Sequence, residues 1–227
     1  IGVMFMQSRY IFNSDYGFDK EQVFFARLDY IRAGKYDELA QNLKNISGVE
    51  SISRSRNVIG TSDSYSQWGR GDDDHTVFFD VLSVDWQYLR TLGIKVIEGR
   101  DFNEHDGDVY IINEAARKQW DWVEIDKPLI RNDLRVVGVC ENVRFGSVRQ
   151  DNASKPLAFV IFGEQYESWG SGNVINIRVA AGTDKVAMRK KLEDCINEME
   201  GHGNVNVSFL DKELENTYKE EFRFISQ

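Results

Sequence analysis

Apolar positions along this chain alternate between two periods, and the switches outline its elements. Val23–Leu28 is a nearly continuous apolar run and predicts a buried strand. Lys35–Ile46 then predicts a helix, with Tyr36, Leu39, Leu43 and Ile46 on one face. Gly48 stands where such a helix ends, and Val49–Ser53 resumes as a strand. A second unit repeats the order. Val174–Val179 sets Val174, Asn176 and Arg178 against Ile175, Ile177 and Val179, the period of a strand. Thr183 or Asp184 can cap a helix over Asp184–Met199 that turns Met188, Leu192, Cys195, Ile196 and Met199 inward, and Val205–Leu210 follows as a strand. Two βαβ-like units predict an α+β fold of ferredoxin-like character.

The stretch between the units behaves differently. Asn57–His75 is rich in Ser, Gly and Asp and predicts a hinge or mobile loop. Strands are predicted at Thr76–Val84, Ile94–Ile97, Val109–Ile112, Leu134–Cys140 and Leu157–Phe162. Short helices are predicted at Asp85–Leu92, stopped by Gly93, and at Glu114–Trp120, capped by Asn113. Gly163–Asn173 again reads as loop. The expected organisation is therefore a βαβ-type lobe built from residues 1–56 plus 173–227, with a mostly β lobe, 57–172, inserted through two connections.

Both ends carry apolar faces. Ile1–Phe12 and Asp211–Gln227 read as stubs of longer helices, the second with Leu214, Tyr218, Phe222 and Ile225 every three to four residues. The expectation is a parent protein that continues through a membrane on both sides, although no run here approaches the roughly 18 apolar residues of a span. The net charge of −9 argues against nucleic acid and anionic lipid as partners, because phosphate binding relies on clustered Lys and Arg. Hydrophobic residues make up 41%, enough for a packed core. Cys140 and Cys195 sit far apart in apolar surroundings and read as buried thiols rather than a disulfide.

Candidate chemistry is sparse. His75, His105 and His202 are isolated, so no zinc site is expected. Asp72-Asp73-Asp74-His75 lacks the downstream glutamate of a calcium loop and reads as a solvated acidic loop. Nucleophile-elbow, phosphate-loop and dinucleotide fingerprints do not occur. Gly99-Arg100-Asp101-Phe102 reads as a tight turn anchored by Phe102. Trp68 and Trp169 fall in the predicted loops flanking the insert, where an exposed ring can grip a partner or an apolar cargo. No catalytic residue, metal ligand or cofactor is expected.

Several stretches, in order, resemble the periplasmic core domain of MacB-like ABC transporter permeases, relatives of LolC, LolE and FtsX. They are Gly17–Val23, Ser47-Gly48-Val49-Glu50-Ser51, Leu92-Gly93-Ile94, Glu98-Gly99-Arg100-Asp101-Phe102, Ile111-Ile112-Asn113-Glu114-Ala115-Ala116, Val137-Gly138-Val139, Phe209-Leu210-Asp211 and Tyr218-Lys219-Glu220-Glu221. The resemblance implies a "porter" lobe with an inserted "sabre" lobe at the periplasmic face of the bacterial inner membrane. It implies stalk helices carrying Phe5, Tyr10, Leu214, Tyr218 and Phe222, and structural roles for Gly48, Val49, Gly93, the Gly99–Phe102 turn, Asn113, Glu114 and Gly138. Implied partners are a cytoplasmic ATP-binding subunit, a second permease copy, and a periplasmic protein or lipoprotein. Such permeases are expected to couple ATP-driven stalk motion to cargo, by export, lipoprotein release or signalling. Where the family often carries an Asp-Phe-His-like run, this chain has Glu141-Asn142-Val143-Arg144-Phe145, and Asn142 cannot ionise. A ligand-sensing or adhesion ectodomain without transport activity is the alternative.

Overall fold

The computed structural model describes residues 15–61, 63, 65–146, 155–161 and 172–225. Ile1–Phe12, Trp169 and most of the predicted 163–173 loop lie outside the described residues. Among the described residues, ten strands join in one mixed sheet. Four of them are β1 (Val23–Arg27), β2 (Val49–Ser55), β9 (Val174–Val179) and β10 (Val207–Phe209). They stand in the order β10-β1-β9-β2, every neighbour antiparallel. In chain order that is 4-1-3-2, the split βαβ arrangement expected of two interleaved units.

The other strands are β3 (Ser66–Gly71), β4 (Thr76–Val84), β5 (Val96–Gly99), β6 (Val109–Asn113), β7 (Arg135–Cys140) and β8 (Leu157–Ile161). They continue the sheet as β4-β8-β6-β7-β5, with β3 paired to β4. Here β4–β8 and β6–β7 are parallel, whereas β6–β8, β5–β7 and β3–β4 are antiparallel. The halves meet at β2–β4 through the single register pair Ser55↔Val84, flanked by Asp85 N–H to Arg54 O and Arg56 N–H to Ser83 O, 3.0 Å each.

The β9 alternation assigns its faces. Ile175, Ile177 and Val179 meet α2 (Tyr36–Lys44) and α5 (Lys185–Asn197), whose Leu39, Leu43, Met188, Leu192 and Ile196 cover that side. Asp184 caps α5, accepting from the Val186 and Ala187 amides. On the opposite face Val174 joins a cluster that crosses into the second half. It includes Phe25, Val84, Phe159 and Phe102, together with α3 (Tyr88–Leu92) and the start of α6 (Leu210–Ile225). A third cluster, with Trp120, Phe79 and Tyr110 fully buried, fills the far face of the second half under α4 (Glu114–Gln119).

Two local expectations need correction. The predicted loop 57–75 contains β3, whose residues alternate half-buried and exposed. Only Trp68 supplies a large apolar contact, so the strand is built by pairing with β4 rather than by its own composition. A short helix, α1 (Tyr30–Gly34), precedes the predicted one and is capped by Asp29. The acidic run after β3 is a turn organised by Asp72, whose carboxylate accepts from the Asp74, His75 and Arg131 amides at 2.8–2.9 Å. Those donors hold its pKa down at about 2.

Candidate functional site

The first turns of α6 are packed into the body, and the packing fades outward. Leu210, Leu214 and Tyr218 are buried, Phe222 is half-buried, and Phe224 is 74% exposed. Tyr218 and Phe222 pack one turn apart, their rings tilted by 40° with centroids at 4.7 Å. Asp211 and Glu213 in the first turn favour the helix N-terminus electrostatically. Glu215 pairs with Lys219 one turn on and with Lys212 at 3.6 Å.

Three separate segments hold this root. Lys20 Nζ meets the Asp211 carboxylate at 2.8 Å, while the Asp211 amide donates to Lys20 O at 3.1 Å. Arg144 donates its backbone N–H to Tyr16 O at 2.9 Å, and Gly60 donates to Phe145 O at 3.0 Å. Val143, Phe145, Val58, Ile59, Tyr16 and Phe18 belong to the same buried cluster as Leu210 and Leu214. Lys20 and Arg144 each approach the Tyr16 ring, at 5.5 and 5.4 Å. Burial raises the Tyr16 pKa above that of a free phenol. A side chain at position 60 would be strained, since Gly60 stands at φ +78° and its Cβ would lie 2.8 Å from a Leu214 methyl. The segment after β7 is thus bonded to the entry to β1 and shares a buried cluster with the base of α6.

A second anchor joins the entry to β1 with α3. Asp19 donates its amide to Leu92 O at 2.7 Å and takes Arg178 Nη2 on its carboxylate at 2.7 Å. Arg178 also reaches Thr91 O and Glu50. Gly93 ends α3 with φ +67°, and Asp19 Oδ2 lies 2.3 Å from where its Cβ would stand.

The remaining sequence-selected residues fall as follows. Gly48, at φ +96°, turns the chain from α2 into Val49, the first residue of β2. Gly99 and Gly138 allow two backbones to meet, since a Cβ on Gly138 would lie 2.3 Å from Arg100 O. Arg100 holds Asp106 bidentately at 2.7 Å, Asp101 pairs with Arg90 at 3.1 Å, and Phe102 is fully buried. Asn113, also fully buried, caps α4 through Ala116 N–H, accepts from Leu157 N–H and donates to Lys155 O. Glu114 accepts from the Asn142 amide, and Asn142 Oδ1 accepts from Ala115 N–H. Asn142 therefore fastens the β7 exit to α4. Trp68 lies in β3, half-buried, edge-on to Phe79 and Tyr110 at 6.4 Å. Phe5, Tyr10 and Trp169 lie outside the described residues. Tyr16 and Gly60 escaped the sequence reading, whereas Lys20 fell in the Gly17–Val23 stretch and Arg144 in the Glu141–Phe145 run, each quoted without a role.

Cys140 and Cys195 are free thiols in different clusters, and burial raises the pKa of both. Among the described residues there is no group of three or more metal-ligating side chains, and no helix is long and apolar enough to cross a membrane.

A mixed sheet whose core takes in the root of an amphipathic C-terminal helix defines an α+β module. The MacB-like periplasmic core domain profile matches residues 4–194, so the chain belongs to that family. Its fold is similar to the periplasmic region of MacB from Actinobacillus actinomycetemcomitans, with TM-score 0.61, 14% identity, and 94% of this chain and 98% of that one covered. It is also similar to the extracellular domain of the noncanonic ABC-type transporter YknZ from Gram-positive bacteria, with TM-score 0.56, 15% identity, and 82% and 98% covered. No curated protein sequence matches the chain.

Proposed function

We propose that this chain is the non-catalytic, cofactor-free extracytoplasmic module of an ABC-type permease at the bacterial inner membrane. It couples ATP-driven motion of the stalk helices to a periplasmic cargo or protein partner. The observation that carries this reading is the root of α6. Leu210 and Leu214 sit in one buried cluster with Phe25 of the first half and with Val143 and Phe145 of the second. A tilt of the helix is therefore resisted by both halves at once, because close-packed side chains transmit displacement rather than absorb it. Residues 1–56 with 173–227 form the porter-like lobe and 57–172 the sabre-like lobe. The single-pair seam at Ser55↔Val84 supports a division there. The resemblance to MacB-like permeases supports a cytoplasmic ATP-binding subunit and a paired permease as partners, and a periplasmic protein or lipoprotein as recipient.

The test uses the full-length parent purified from membranes. An ATP-hydrolysing subunit is expected to co-purify, with a hydrolysis rate that changes when this domain is deleted. Glu215→Pro, which breaks α6 one turn above its root at about 3 kcal/mol of helix stability, is expected to abolish the output while the sheet stays folded. Absence of any associated ATPase would overturn the reading.

A further inference from the structure

On the sheet face away from α6, α2 and α5 lie side by side and leave an open groove of about 780 Å³ between them. Each helix offers it one stripe. Glu38, Asn42 and Asn45 project from α2 and its C-terminal cap, and Lys191, Asp194 and Glu198 from α5 and its cap. These are the i, i+3, i+4, i+7 spacings of a helical face. Ile46, Cys195 and Met199, half-buried against the core below, give it an apolar lining.

Two parallel stripes above an apolar strip form the seat a third helix occupies when it packs ridges into grooves. The charge decides which helix. Four carboxylates, on Glu38, Asp194, Glu198 and Glu200, line the groove against two ammonium groups, on Lys35 and Lys191. Lys190 engages Asp194 at 2.8 Å and Lys35 engages Glu200 at 3.8 Å. Glu38 and Glu198 make no ion pair among the described residues. A second copy of this chain would bring the same acidic groove and a net charge of −9, so like charges oppose self-association here.

We propose that the α2–α5 groove is a docking site for a cationic amphipathic helix of a periplasmic partner protein. This rests on the coupling reading above and adds where a recipient would be held. The bound helix sets apolar side chains over Ile46 and Met199 and Lys or Arg beside Glu38 and Glu198. The α2 wall is nine residues long. At about 1.5 Å per residue it matches a partner segment of two to three turns. The unbranched Met199 side chain adapts to whichever apolar side chain arrives.

The test titrates the 227-residue chain, labelled at its methionine methyl groups, with a synthetic helix about three turns long. One peptide carries Leu along one face and Lys on its flanks, and a control replaces every Lys with Glu. The expected result is a saturable shift of the Met199 methyl resonance with the Lys peptide alone. Affinity should fall about tenfold or more in Glu38→Lys/Glu198→Lys and by less in Glu38→Gln/Glu198→Gln. Both positions are exposed, so these variants keep the fold. Equal binding of the Glu peptide, unaltered binding by the Lys variants, or no saturable shift would overturn the proposal. Saturable binding in a parent without ATPase coupling would overturn the coupling reading and leave the groove, and the reverse result would remove only the groove.

Discussion

The two halves of the sheet are built by different means. In the first half every neighbouring pair is antiparallel, and two amphipathic helices, α2 and α5, cover one face. In the second half two of the five pairings are parallel, and the helix on its strands, α4, has only six residues, while the five-residue α3 packs across β2 and β9 of the first half. The core of the second half relies instead on large side chains such as Trp120, Phe79 and Tyr110 and on turns such as Gly99–Phe102. The first half thus shows clear helical and strand periodicity although its strands pair across most of the chain, Phe24 with Phe209 and Ile52 with Ile177, whereas the second pairs segments nearer in sequence, Trp68 with Phe79 and Ile111 with Gly138. Yet the cluster under α6 belongs to both. A module designed to hinge freely would keep two separate cores; this one shares a core across a seam of one register pair, which favours small coupled movements over large independent ones.

The strongest way to break that comparison is Phe102→Ala. Phe102 is fully buried in the shared cluster though it comes from the second half. A loss of about 3–5 kcal/mol is expected, in a single transition that tryptophan fluorescence and far-ultraviolet dichroism report together. Five tryptophans in the chain include Trp68, Trp86, Trp120 and Trp122, all in the second half. Two separated transitions would mean that the halves fold apart.

Asn113→Ala sharpens the contrast, since it strikes the second half alone. It removes the α4 cap and leaves the Leu157 amide and Lys155 carbonyl without their side-chain partner. A cost of about 2–3 kcal/mol in urea unfolding is expected, with the α6 root unaffected.

Asp85 probes the seam by pH. Its carboxylate is desolvated between the halves while accepting from Arg54 N–H at 2.9 Å, Gln87 N–H at 3.1 Å and the Tyr36 hydroxyl at 3.2 Å. Burial raises its pKa to about 7 despite those donors. The unfolded chain ionises this group near its usual value of about 4. The stability it contributes is therefore complete below about pH 4 and is lost as pH rises through about 7. Asp85→Asn should remove that part of the slope when midpoints are compared from pH 4 to 8; an unchanged slope would exonerate Asp85. The smallest effect is expected at Lys20→Ala, where a partly exposed pair with Asp211 is worth about 0–1 kcal/mol. A double-mutant cycle with Asp211→Ala measures it.

Legibility followed sequence distance rather than the boundary between the halves. Val174–Val179, the Asp184 and Asn113 caps and the Gly93 stop were readable because each depends on neighbours within a few residues. β3 was not, since Ser66–Gly71 is a strand only because Thr76–Val81 lies beside it. The α6 stripe at Leu214, Tyr218 and Phe222 was visible, but its sockets were not. Tyr16, Gly60 and Arg144 come from three segments with no common pattern.

By itself, then, the sequence determined the α+β class, the two βαβ-like units, the amphipathic C-terminal helix and the absence of a polybasic stretch. Those are properties of local spacing and composition. Tertiary structure alone decided which strands are neighbours, that Leu210 and Leu214 share a core with Val143 and Phe145, and that Asp85 is desolvated at the seam. Each of these depends on contacts between residues far apart along the chain, whose free energy appears only when the whole sheet has assembled.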